Sequence, residues 1–213
     1  MSGQTKNINT TEREDSLRDA LNLSYFTVAY NFLEGIISIV AGSLSGSIAL
    51  VGFGLDSFIE SLSGGVMIWR FYAARQFTDR EHERREKVAI KLVAYSFFVF
   101  GAYVLYQSVK KLYYADAPDP SILGIIIAVV SIIVMPVLYH LKNKVGRSLA
   151  SNSLLADSKQ TLACVYLSGA LLLGLLLNYL FGLWWADPLV GLFIVIFLFK
   201  EGYEALTYEE LCC

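Results

Sequence analysis

Residues 49–71 read ALVGFGLDSFIESLSGGVMIWRF, and this stretch decides the fold. It is long and apolar enough to cross a bilayer as a helix, which takes about 20 residues. Near its middle it carries Asp56 and Glu60, four residues apart and so on one helical face. An acidic side chain at the centre of a spanning helix costs roughly 2.5–3.5 kcal/mol on insertion scales. Two such costs on one face call for a compensating partner. A cation is the direct answer; protonation, or hydrogen bonding inside a helix interface, is the other.

The rest of the chain agrees with a membrane setting. Of 213 residues, 55% are hydrophobic and only 17% charged, against about 25% charged in a soluble domain. The net charge of -2 does not suggest a nucleic-acid partner. Three cysteines, Cys164, Cys212 and Cys213, are too few for a disulfide framework. The first 20 residues are polar and of mixed charge, unlike a signal peptide. No phosphate loop, nucleophile–base pairing or cofactor fingerprint is present, so neither an enzyme nor a bound cofactor is expected.

Six spans are expected, at about Leu21–Gly42, Ile48–Tyr72, Val88–Leu112, Ile122–Leu141, Ser153–Leu180 and Trp185–Lys200. The predicted class is therefore all-α, a polytopic six-helix membrane bundle. Its parts would be a polar segment 1–20, the bundle 21–206 and a tail 207–213. Only SLSGS separates the first two spans, which implies an antiparallel hairpin. Arg70, Arg75, Arg80, Arg84, Arg85 and Lys87 follow the second span, and Lys142, Lys144 and Arg147 the fourth. These basic connections place both termini in the cytoplasm. Lys110 and Lys111 run against the pattern at the outer end of the third span, where they can snorkel to headgroups. Tyr113, Tyr114, Trp184 and Trp185 are expected to form an outer aromatic belt.

Polar residues on the other spans narrow the chemistry. Thr27, Asn31, Glu34 and Ser38 form a stripe on the first, with Glu34 near mid-membrane. Glu34 suits a metal ligand, a proton carrier, a partner of either, or a neutral interhelical hydrogen bond. In the second span Ser57, Ser61 and Gly65 make a small-residue ridge for close packing. The third and fourth spans offer no intramembrane charge and read as support, with Pro136 set to kink the fourth. On the fifth, Asp157, Gln160 and Cys164 fall at i, i+3 and i+7. Asp157 also suits a cap, and Cys164 a small buried hydrophobe. Cys212 and Cys213 suit soft-metal capture, palmitoylation or an incidental tail.

Three stretches together resemble the cation diffusion facilitator (cation efflux) family of divalent-metal transporters. SGSIALVGFGLDSFIES is similar to its first hairpin and second helix, with Asp56 and Glu60 at the ion-binding places. HERREKVA, from His82, is similar to a cytoplasmic stretch that in the family can hold a secondary metal site; a solvated charge run is the alternative. LADSKQTLA is similar to the fifth-helix pattern, with Asp157 leading, Gln160 at the His place and Cys164 at the final Asp place.

The resemblance implies a short, divergent branch without the family's C-terminal cytoplasmic domain, and a homodimer; the short chain without sorting signals suggests a multi-pass protein of a bacterial plasma membrane. It implies a metal set of Asp56, Glu60, Asp157, Gln160 and Cys164 with Glu34 nearby. Oxygens plus one sulfur suit zinc first, then cobalt or cadmium; without the sulfur, manganese or iron(II). Metal binding needs ionised ligands and expels protons, so metal–proton exchange is expected, with efflux as its direction. A metal-binding regulatory subunit and a channel-like pore are the competing readings.

Overall fold

The computed structural model describes residues 10–73, 79–149 and 151–211; some side chains inside the helices, His82's among them, lie outside that description. Cys212, Cys213 and Arg75 lie outside it altogether. The described residues form six helices: α1 (Thr10–Ser45), α2 (Ile48–Ala73), α3 (Asp79–Tyr114), α4 (Ile122–Ser148), α5 (Asn152–Phe181) and α6 (Ala186–Leu211). The six expected spans fall on these helices, apart from Trp185, which immediately precedes α6, and the helices overrun several of them. The longest extension is at α1, which runs unbroken from Thr10 through the polar segment into the first span.

Stretches in α1, α4 and α5 (Asp15–Ser45, Ile122–Ser148 and Asp157–Phe181) are long and apolar enough to cross a membrane by length and composition alone. The other three, of 26, 36 and 26 residues, also exceed the roughly 30 Å of hydrocarbon at about 1.5 Å per residue. Polarity is distributed inside out. Thr27, Asn31, Glu34, Ser38, Asp56, Ser57, Glu60 and Asp157 are buried, while Leu33, Ile133, Leu173 and Ile196 stand exposed on the outer faces. Lipid is the solvent that tolerates this arrangement.

α1 packs along α2, α3 against α6, and α4 against α5, while α2 also touches α3, α5 and α6. α2 is therefore the hub. Its contact with α1 is close because glycines meet there: a Cβ on Gly54 would stand 2.9 Å from the Gly35 carbonyl, and one on Gly35 3.0 Å from that of Gly54. Ser57 and Ser61 do face α1, but a Cβ at Gly65 would meet nothing within 4 Å. The packing ridge therefore runs through Gly54, Ser57, Ser61 and Gly64 rather than ending at Gly65.

At the end of the bundle holding the SLSGS turn, Asp187 of α6 caps α2. Its buried carboxylate accepts hydrogen bonds from the Ser47 hydroxyl and, at 2.9 Å, from the Ile48 amide. Tyr113, Tyr114 and Trp185 are exposed at the same end, the arrangement expected of an aromatic belt. α4 continues through Pro136 and does not stop at Leu141; Ser148 is its last residue. Lys142 is thus not part of a connecting loop but a fully buried residue of that helix. The helix read as charge-free support contributes a cation to the core.

Candidate metal-cation site

The α2 face that carries the two acids turns into the bundle. Asp56 and Glu60 are 2% and 0% exposed, and Cys164 of α5 is 1% exposed. The Cys164 sulfur lies 3.1 Å from Asp56 Oδ2 and 2.9 Å from Glu60 Oε2. A thiol has one proton. Two carboxylate oxygens at hydrogen-bond distance from one sulfur therefore need a further proton on a carboxyl, or a cation among the three groups.

A second cluster shares Glu60. Lys142 Nζ lies 2.8 Å from Asp157 Oδ2 and 3.8 Å from Glu60 Oε1. It donates to the Thr161 hydroxyl at 2.9 Å, and Thr161 in turn donates to Glu60 Oε1 at 2.8 Å. Asp157 reaches back to α2 through Ser63, whose hydroxyl is 3.5 Å from Oδ1. Four helical side chains from α2, α4 and α5 thus form one buried network of opposite charges.

The other predicted residues sit as follows. Glu34 is buried at the α1–α2 interface, where Oε1 accepts from Tyr30 at 2.9 Å and Oε2 from Ser57 at 3.0 Å. Both oxygens thus accept a hydrogen bond at that interface. Gln160 is half-buried and takes no part in the network. The buried α5 face instead runs through Asp157, Thr161, Cys164 and Ser168, and Ser168 donates to Ser131 of α4 at 2.8 Å. Thr161 was findable, because it lies four residues from Asp157. Lys142 was not, since a lysine near Lys144 and Arg147 reads as part of a cytoplasmic connection. Lys144 and Arg147 are exposed, as that reading requires.

Asn31 adds an unmet demand. It is fully buried, and among the described residues neither its amide nitrogen nor its oxygen has a hydrogen-bond partner. Glu34 meets Ser57, and the Val28 carbonyl meets Ser61 at 3.4 Å, so the antiparallel pairing puts Asn31 at about the depth of Glu60. Among the described residues, no group of three or more His, Cys, Asp or Glu side chains is already arranged to hold a metal ion. Asp56 and Glu60 each lie at hydrogen-bond distance from the Cys164 sulfur, so these groups close on one another.

An all-helical bundle with a buried acidic network, apolar outer faces and polar interior defines a multi-pass membrane protein. The family model for the cation efflux transmembrane domain matches residues 24–209, and the chain belongs to that family. It is 25% identical over 184 residues to a transporter of Methanocaldococcus jannaschii, covering 84% of this chain and 64% of the relative. It is 26% identical over 182 residues to the cation-efflux pump FieF of Shewanella oneidensis, covering 82% and 60%. The manganese efflux system protein MneS of Bacillus subtilis is 21% identical over 207 residues, covering 92% and 71%. The chain thus spans about 60% of the length of the first two relatives.

Proposed function

We propose that this chain moves a divalent metal cation out of the cytoplasm in exchange for protons, through the site centred on Asp56, Glu60 and Cys164. The observation that carries the reading is the pair of fully buried carboxylates meeting at one sulfur, 3.1 and 2.9 Å away. Such a trio is neutralised equally well by protons or by a cation, and the alternation of the two is an exchange cycle. Asp157 supports it by holding Lys142, and Glu34 by tying α1 to α2. The orphaned Asn31 amide supports it too, because a buried unpaired amide costs about 1–3 kcal/mol and is explained by a transient partner.

Zinc is the first cargo, since two carboxylates and a thiolate form a borderline-soft donor set. Manganese is the second, favoured by the likeness to a relative named for manganese efflux. A homodimer with both termini in the cytoplasm is the assembly we infer, and the exposed Lys144 and Arg147 at the α4 end fit that orientation.

The test is zinc and manganese flux in proteoliposomes, with and without a pH gradient. Asp56→Ala and Glu60→Gln each remove a charge that faces the cargo and should lower flux by about 100-fold or more. Flux unchanged in Asp56→Ala would sink the proposal.

A further inference from the structure

Lys142 carries the same sign as the proposed cargo, and it sits inside the cargo's own site. Its side chain has no exposed surface. The ammonium holds Asp157 directly at 2.8 Å, and holds Glu60 both across 3.8 Å and through the Thr161 hydroxyl. Both of these contacts to Glu60 use Oε1, while Oε2 faces Cys164 and, beyond it, Asp56. Glu60 is therefore shared between a fixed cation on one oxygen and the cargo position on the other.

Charge balance gives this sharing a consequence. Asp56, Glu60 and Asp157, when ionised, carry three negative charges, Cys164 as a thiolate adds a fourth, and Lys142 reduces the sum to three. Without the ammonium, a bound divalent ion would sit in a larger excess of negative charge in a low-dielectric interior, where charge interactions are strong. A transport site must hold its ion well enough to load and loosely enough to release.

We propose that Lys142 is a built-in competitor for Glu60, a positioning residue that lowers divalent-cation affinity to the level that permits release. The proposal rests on the transport reading of the same site. An ion pair that merely joins α4 to α5 makes a different prediction, because its loss has no reason to improve binding.

The experiment measures Zn2+ binding to the full-length protein in lipid nanodiscs, and Zn2+ flux in proteoliposomes. Lys142→Met keeps the length of the stem and removes the charge; it should tighten Zn2+ binding by about tenfold and lower KM and kcat together. Lys142→Arg keeps the charge and should stay near the wild-type affinity. Lys142→Met with Asp157→Asn removes the pair as a unit, so neither charge is left buried alone. The double variant should also bind Zn2+ more tightly than wild type, by a smaller factor, because Glu60 is freed. It decides the matter if the single variant fails to fold. Unchanged or weaker Zn2+ binding in the folded double variant overturns the competitor role while leaving transport intact. Wild-type protein that binds neither Zn2+ nor Mn2+ overturns the transport reading, and this inference with it.

Discussion

At the scale of single residues, Cys164 is the side chain expected to set selectivity under the transport proposal. Its sulfur stands among oxygen and nitrogen donors and touches both α2 carboxylates. Soft thiolate favours zinc and cadmium, whereas hard oxygen favours manganese and magnesium. Cys164→Ser should therefore shift the Zn2+/Mn2+ preference toward manganese by about tenfold, read as a competition uptake ratio. The helical spacing of Asp56, Glu60, Asp157 and Cys164 made their convergence legible in sequence. Gln160 and Lys142 show the limit of that method. Gln160 shares the approximate face yet falls at its edge, and Thr161 takes the inward position. Lys142 needed the knowledge that α4 continues for almost two turns past Leu141.

At the scale of elements, α2 depends on neighbours for its placement. The Asp187 carboxylate bonds the Ile48 amide and the Ser47 hydroxyl, and Ser47 in turn accepts from the Leu50 amide at 3.1 Å. A residue at the start of α6 thus caps the start of α2. Asp187→Ala leaves those buried donors unpaired and should cost about 1–3 kcal/mol. A lowered midpoint in thermal unfolding of the detergent-solubilised protein checks this, and unchanged unfolding would show the cap to be dispensable. The glycine crossing at Gly35 and Gly54 works with the cap, one setting the spacing of α2 from α1 and the other its height. Sequence placed the helices well because apolar runs and short polar turns are local signals. It could not reveal the cap, since Ser47 and Asp187 are 140 residues apart.

At the scale of the whole molecule, the bundle puts two opposed requirements in one place. The acidic groups must be neutral or paired to remain in lipid, and they must be ionised to bind a metal. Metal binding should therefore be accompanied by net proton release and should weaken as pH falls, because protons then compete for the same carboxylates. Calorimetric Zn2+ titrations in buffers of different ionisation enthalpy read this directly: the apparent binding enthalpy should change with the buffer. A buffer-independent enthalpy would remove the proton half of the exchange cycle.

The amino-acid sequence by itself determined that this is a six-helix membrane protein, with acidic residues of α2 and polar residues of α5 turned toward a common interior. Hydrophobic length and helical periodicity are properties of neighbouring residues, so they can be read without the fold. Only the tertiary structure decided that Thr161 and Lys142 complete the network, that Glu34 is consumed by Tyr30 and Ser57, and that Gln160 stays at the margin. The physical reason is that a charge inside the bilayer is defined by what faces it, and those partners come from other helices.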